Sequence, residues 1–291
     1  MADQLLLDAD IIAFKIASVS QKTFQFSPED EPSVVADAWE DVVPRIHYAI
    51  AALMETLGTT DVIVCLSCPT ADNFRLGILP TYKGNRDYSK RPVHLGAIKD
   101  YMEAHWPSYR RPSLEADDIM GILSTATTSL AAGFRKIIVS EDKDMQTIPG
   151  WLYNPAKDTQ PRWISPESAD RFHLYQTLVG DTTDGYAGCP GSGPMDAADL
   201  LDNPYVWMSY QHTFKSGPRK GLEETRWDKR PCLDDGYTLW DAVVCRFEKA
   251  GLTEADALVQ ARVARILRSS DFDFNTKKVI LWTPSTASLP A

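Results

Sequence analysis

The chain is poor in the features that staple, anchor or charge a protein for an obvious task. It has only five cysteines in 291 residues; an odd number in a long chain argues against a disulfide framework and for a reducing compartment. Cys65 and Cys68 form a CxxC pair, but Cys189, Cys232 and Cys245 are scattered. The second ligand pair of a structural zinc site is therefore missing. No uninterrupted apolar run reaches the ~18 residues that a membrane-spanning helix needs, so no membrane partner is expected. The opening residues Met1-Ala2-Asp3-Gln4 are acidic, a poor start for a signal peptide. A cytoplasmic location is expected. Internal repeats and low-complexity tracts are absent. Positive charge is also in short supply, with 30 Lys and Arg against 40 Asp and Glu, a net charge of −10. Taken alone, that balance counsels against a nucleic-acid partner. It does not exclude one, because carboxylates loaded with divalent cations would lose much of their charge locally.

What is present suits a globular chain with a real core: 44% hydrophobic and 24% charged residues, enough for one large domain or two small ones. Leu5-Leu6-Leu7 reads as a buried strand. A helical stretch follows it, then a loop at Ser27-Pro28-Glu29-Asp30-Glu31-Pro32, an amphipathic segment from about Val34 to Leu57, and a second strand, Val62–Leu66. Strands alternating with helical segments predict a parallel α/β sheet. In such sheets ligands bind outside the carboxyl ends of the strands.

Acidic residues recur where such ends are expected. Asp8 and Asp10 follow the first strand. Glu115, Asp117 and Asp118 open a helix for which Ser113 is the predicted N-cap and Ile119, Ile122 and Leu123 the apolar stripe. Asp142 and Asp144 follow Ile137-Ile138-Val139 and point the same way if extended geometry continues. Asp181 and Asp184 lie in Gly180-Asp181-Thr182-Thr183-Asp184-Gly185. Each cluster alone has a plain explanation, since helix N-termini favour negative charge and solvated loops are often acidic. Convergence of all of them would be costly without cations, as a carboxylate pair ~4 Å apart repels by ~4 kcal/mol at an effective dielectric of 20. All-oxygen ligation without paired His or Cys suits Mg²⁺ or Mn²⁺. Two such ions ~3.5–4 Å apart would serve phosphodiester hydrolysis.

Basic and aromatic residues interleave over 72–94, with Phe74-Arg75 and Tyr82-Lys83-Gly84-Asn85-Arg86. A solvated basic loop is one reading; a segment gripping a phosphate backbone is the other. Lys83 and Arg86 would supply charge to a phosphate in its transition state. The turn Gly188-Cys189-Pro190-Gly191-Ser192-Gly193 opens a helical stretch at Met195–Leu201 and could approach a phosphate with bare N–H groups. Beyond it come basic loop residues at 215–220 and 226–230, helical patterns at about 238–250 and 254–268, and a strand-like end at Val279–Trp282.

In order and spacing these motifs resemble the 5′ nuclease (flap endonuclease) superfamily, and most closely the 5′→3′ exonucleases of T-odd bacteriophages. The matching segments are Leu7–Asp10, Phe74-Arg75, Tyr82–Arg86, Leu114–Asp118, Ser140–Asp144, Gly180–Gly185 and Gly188–Gly193, with the tail Ala264–Arg268. The resemblance implies a PIN-like fold with a central, mostly parallel sheet flanked by helices. It implies a nuclease core over 1–185 with a helical arch near 72–94, and a mainly helical DNA-binding region over 186–291 with a helix–three-turn–helix. It also implies two Mg²⁺ or Mn²⁺ ions on Asp8, Glu115, Asp117, Asp118, Asp142, Asp144, Asp181 and Asp184. Lys83 and Arg86 match residues at the scissile phosphate. Arg75, Tyr82, Gly188, Gly191 and Gly193 are expected at the DNA, with K⁺ at the glycine turn. Asp10 matches a position that is often not acidic, and Asp72 is out of register with a further family aspartate; neither is counted as a ligand. The implied activity is metal-dependent 5′→3′ exonucleolysis of double-stranded DNA, with 5′-flap cutting and removal of RNA from RNA/DNA hybrids as extensions, in phage replication or host DNA degradation and hence in a host cytoplasm. The alternatives are a PIN-type ribonuclease, which would not need the glycine turn, and a non-catalytic DNA-binding replication protein.

Overall fold

The computed structural model describes residues 2–25, 27, 29, 33–127, 133–231 and 237–284. Cys232 and most of the loop expected at 27–32 lie outside them. The chain divides into two compact units, the first made of Met1–Gly77, Arg86–Ala169 and Ile266–Ile280, the second of Ile78–Asn85, Asp170–Arg265 and the residues from Leu281 on.

The first unit runs β1 (Ala2–Asp8), α1 (Ala9–Val19), the hairpin β2 (Gln21–Phe24) and β3 (Ser33–Ala36), then α2 (Trp39–Leu57) and β4 (Val62–Leu66). It continues with α3 (Leu95–His105), β5 (Ser108–Arg110), α4 (Ala116–Thr125), β6 (Phe134–Val139), β7 (Gly150–Tyr153) and β8 (Arg162–Ile164), after which α5 (Pro166–Val179) begins. Six strands form one sheet in the order β5-β4-β1-β6-β7-β8. All pairs are parallel except β7 with β8. The sheet is covered on both faces, which is why β1 reads as a continuous apolar run. Side chains alternate along a strand: Leu5 and Leu7 enter a core shared with α1, α2 and α3, while Leu6 enters one shared with α4. Gly121 of α4 is fixed by this packing, since a Cβ there would lie 2.2 Å from the Leu267 carbonyl oxygen.

Three local expectations are corrected. The N-cap of α4 is Glu115, not Ser113; the chain passes Ser113 with φ 68°, and Glu115 and Asp118 then satisfy each other's backbone N–H in a capping box. Extended geometry stops after β6: Asp142 caps a 3₁₀ turn, Lys143–Thr147, so Asp142 and Asp144 do not alternate as on a strand. The segment 72–94 is no long helix. It holds short 3₁₀ turns at Thr70–Asp72, Phe74–Gly77 and Tyr88–Lys90, and α3 starts only at Leu95. Gly77, Pro80, Gly84 and Pro92 interrupt any longer helix.

The second unit contains the later part of α5, α6 (Pro194–Asp202), β9 (Tyr205–Thr213), β10 (Glu223–Pro231), α7 (Leu239–Lys249) and α8 (Glu254–Ala264). Its core gathers Leu178, Leu200, Val243, Phe247 and Ala261. Both α7 and α8 start at Thr-x-x-Asp capping boxes, Thr238/Asp241 and Thr253/Asp256. The unit is not wholly helical. Residues 226–230, expected as basic loop, lie in β10, which pairs antiparallel with β9 over nine residues. The aromatic and apolar run Tyr205-Val206-Trp207-Met208-Ser209-Tyr210 is the strand signal that the basic residues obscured. Of the end expected as a strand, Val279–Trp282, only Val279 lies in one: β12 (Lys278–Val279) pairs with β11 (Phe272–Asp273) in the first unit, and residues 280–282 are not strand. Among the described residues no helix is long and apolar enough to cross a membrane, and Cys65, Cys68, Cys189 and Cys245 are free thiols.

Candidate active site

Successive strands run from β1 to β4 and β5 on one side, then return to β6 on the other. A crevice opens at such a reversal, outside the carboxyl ends of the strands. Asp8 is the last residue of β1 and is 3% exposed. Its Oδ2 accepts from the Ser140 hydroxyl just past β6 at 2.6 Å, and its Oδ1 accepts from the Ile11 N–H at 3.2 Å as the N-cap of α1. Burial, joined by the negative charges of Asp10 and Asp142, pushes the Asp8 carboxyl from its ordinary 3.8 up to about 7, against the pull of those two hydrogen bonds.

The neighbouring acidic groups are partly balanced by the protein. Asp10 pairs with Lys99 at 2.8 Å. Asp142 Oδ1 accepts from the Asp144 N–H at 2.8 Å, and the Asp142 N–H donates to Ser140 Oγ at 3.1 Å. Cys65, at the end of β4, has its thiol pushed well above the usual range by burial, then by the charges of Asp8, Asp117 and Asp10. Carboxylates from β1, the start of α1 and the start of α4 thus bear on one strand end. Among the described residues no three such side chains are drawn into a closed cage. The donor set is open, all-oxygen and negative, which fits hard divalent cations bound partly through water.

Asp118 differs from the other carboxylates. Arg75 grips it with a guanidinium fork, Nη1 to Oδ2 and Nη2 to Oδ1, both at 2.8 Å. Oδ2 also accepts from the Glu115 N–H at 3.1 Å and Oδ1 from the Leu267 N–H at 3.2 Å. A carboxylate offers about four lone-pair sites, and all are taken in this arrangement. Asp118, expected from the sequence as a metal ligand, is thus held by four hydrogen bonds within the protein. Arg75 was expected at the DNA. Its side chain is 3% exposed and also reaches Glu115 Oε2 at 3.2 Å, so it positions Glu115 and does not face a solvated ligand.

The remaining predicted residues belong to the second unit, Arg86 excepted. Lys83 and Tyr82 are buried and both engage Asp184. The Tyr82 hydroxyl donates to Oδ2 at 3.1 Å, Lys83 Nζ lies 3.6 Å from the same oxygen, and the Lys83 N–H donates to the Asp184 carbonyl at 2.8 Å. Asn85 donates to the Thr182 carbonyl at 2.6 Å. Nothing in the sequence joins residues a hundred positions apart, and sequence reasoning missed this contact; it also missed Ser140 as the partner of Asp8. Tyr82, expected at the DNA, spends its hydroxyl on Asp184. Lys83 has φ 54° and is buried, whereas Arg86 is exposed, so the two do not share a helical face. Asp181, 9% exposed, accepts from the Thr183 and Asp184 N–H groups through Oδ1 at 2.7 and 3.3 Å.

The glycine turn is set by close backbone approach. A Cβ on Gly188 (φ +67°) would lie 2.4 Å from the Gly180 nitrogen, and one on Gly180 (φ +74°) 2.4 Å from the Ala187 carbonyl carbon. The Gly188 N–H donates to Gln260 Oε1 at 2.8 Å. Gly191 has φ +69° beside Arg246, and Gly193 is the N-cap of α6.

The family described as 5′-3′ exonuclease, N-terminal resolvase-like domain, matches residues 5–151. Over 212 residues the chain is 41% identical to the exonuclease of Escherichia phage T7 and 39% identical to the exodeoxyribonuclease of Enterobacteria phage T3; in both cases 70% of this chain and 68% of the relative are covered. The fold is similar to that of a phage T5 5′-exonuclease solved with zinc, with a TM-score of 0.50 at 18% identity over 69% of this chain and 74% of that one. The matched span 5–151 takes in Asp8, the Arg75–Asp118 anchor and the turn after β6. These relatives displace the ribonuclease and the non-catalytic DNA-binder raised from the sequence. The chain belongs to the 5′ nuclease superfamily and is a 5′→3′ exodeoxyribonuclease of the phage type.

Proposed function

We propose that this exodeoxyribonuclease hydrolyses its phosphodiester with two Mg²⁺ or Mn²⁺ ions, and that Asp8, Glu115, Asp117, Asp142 and Asp144 of the first unit are their ligands. The supporting observation is that Asp8, Asp10 and Asp142 bear on one another at the carboxyl ends of parallel strands, with Asp117 acting on Cys65 at the end of β4, and that Asp8 is buried against a hydroxyl and an N–H. Bound there, such cations supply Lewis acidity and an activated water for in-line displacement. Ser140 orients the Asp8 carboxylate, and Arg75 orients Glu115. In the second unit Asp181 and Asp184 offer further carboxylates of the same chemistry. Lys83 and Arg86 are proposed to place positive charge on the scissile phosphate, and the turn Gly188–Gly193 to anchor duplex DNA through K⁺. Removal of 5′ flaps and of RNA from hybrids are proposed as further reactions of the same site.

The deciding experiment uses a 5′-labelled duplex. Short labelled products form with Mg²⁺ or Mn²⁺ and not with EDTA, and replacing Asp142 by Ala stops their formation while leaving duplex binding in Ca²⁺ intact. Undiminished cleavage in EDTA would end the metal assignment. A parallel assay with flap and RNA/DNA substrates reads the two extensions, and exchange of K⁺ for Na⁺ reads the glycine turn through duplex affinity.

A further inference from the structure

The ribbon of β9 and β10 is an outlier in a chain with a net charge of −10. Between Tyr205 and Pro231 six Lys and Arg stand against three Asp and Glu. Its base is rooted in the second unit's core: Tyr205 and Val206 are buried, Lys249 of α7 stacks 3.0 Å from the Trp207 ring centre, and Lys229 lies 3.9 Å from that of Tyr205. Beyond Trp207 the ribbon leaves that core. Met208 is 44% exposed and Tyr210 42%, and Lys215, Arg219 and Lys220 at the tip are all exposed. An isolated two-stranded ribbon is marginal in water, yet this tip is built to one shape. Phe214 and Leu222 close it, with the Phe214 N–H donating to the Leu222 carbonyl at 3.0 Å and the Gly221 N–H to the Phe214 carbonyl at 2.9 Å. Arg219 and Arg226 hold their guanidinium groups 4.1 and 5.3 Å from the Phe214 ring centre.

We propose that this ribbon is an accessory arm that grips duplex DNA. It rests on DNA being the substrate and not on the metal assignment. The charge argument selects the partner, since basic side chains gathered on one exposed arm attract phosphates even where the chain as a whole is acidic. Size agrees, because the major groove admits a two-stranded β-ribbon, and nine-residue strands reach ~30 Å. Arginines held against an aromatic ring are spared much of the ordering cost on binding. The exposed Tyr210, opposite Arg226 in the cross-strand register, adds a planar surface beside them.

The test replaces Lys215, Arg219 and Lys220 together by Ala and reads duplex affinity by fluorescence anisotropy in EDTA across a salt series. Lost phosphate contacts would lower the salt slope by about three and weaken binding roughly tenfold near physiological salt. An unchanged affinity and slope would overturn the proposal, and so would weaker binding with an unchanged slope. As the binding is read without catalytic metal, failure of the metal assignment leaves this outcome readable. A Tyr210→Ala variant, with its melting temperature measured, tests the ring separately: weaker binding at an unchanged melting point supports the arm, and no change in affinity removes Tyr210 from it.

Discussion

Asp8 at a strand exit and Asp118 at a helix start are both buried carboxylates of the first unit, 3% and 0% exposed, but their surroundings are opposite. Asp118 has a guanidinium fork and two backbone N–H donors, so every lone pair is used and its charge is balanced. Asp8 has one hydroxyl and one N–H, with Asp10 and Asp142 as electrostatic neighbours. A buried charge is tolerated only when paired. The charge of Asp118 is balanced inside the protein, whereas Asp8 keeps like charges as neighbours and its carboxyl is pushed up. Acidic residues close in sequence to a motif are therefore not equivalent, and what separates these two is how many of their lone pairs the fold has already used.

The contrast breaks most visibly in activity. Replacing Asp142 by Ala is expected to reduce single-turnover cleavage to background, a loss of more than about 10³-fold on the scale of a lost catalytic electrostatic group, while duplex affinity in Ca²⁺ stays within a few-fold. Cleavage near the wild-type rate at saturating Mg²⁺ would place Asp142 with the anchors.

Asp118→Ala should act through folding. It removes the forked partner of the Arg75 guanidinium and the acceptor of the Glu115 and Leu267 N–H groups, and breaking a buried pair by removing one partner costs about 3–5 kcal/mol. Denaturant unfolding of the metal-free protein checks this. A loss below about 1 kcal/mol would contradict the anchor role.

Lys83 carries the comparison into the second unit, where Asp184 is partnered by both Tyr82 and Lys83. If Lys83 acts at the phosphate, Lys83→Ala lowers single-turnover rates by about 10²–10³, or ~2.7–4 kcal/mol, with little change in affinity. If it only neutralises Asp184, the change appears in melting temperature and the rate falls less than about tenfold.

A further expected effect is pH-dependent. The folded protein holds the Asp8 proton up to about 7, whereas the carboxyl's ordinary value is 3.8. Between those values the folded state binds more protons than the unfolded one. Stability of the metal-free protein therefore falls as pH rises through that window; the penalty is absent below it and complete above it. Asp8→Asn should flatten this slope, and Mg²⁺ should raise the melting temperature more above pH 7 than near pH 5. Equal stabilisation by Mg²⁺ at both would mean that Asp8 is not a site of cation binding.

Much was legible without coordinates, and for definite reasons. A continuous apolar triplet such as Leu5-Leu6-Leu7 is stable only where both sheet faces are covered, so it predicts a central parallel strand, and strand exits then collect the acidic motifs. The helical patterns at about 238–250 and 254–268 located α7 and α8. The near-range readings failed where two local preferences competed. Basic residues at 226–230 masked a strand whose partner, β9, lies across a turn. Gly77, Pro80, Gly84 and Pro92 broke the helix expected near 72–94.

Fold class, enzyme class and family could be read from the chain alone, because periodicity, motif order and residue type are properties of the chain read in line. Only the tertiary structure decided which residues share a lone pair. Arg75 meets Asp118, Ser140 meets Asp8 and Tyr82 meets Asp184 across 43, 132 and 102 positions. Those distances in sequence carry no local signal, since it is burial that makes an unpaired charge costly and forces each group to find its partner in space.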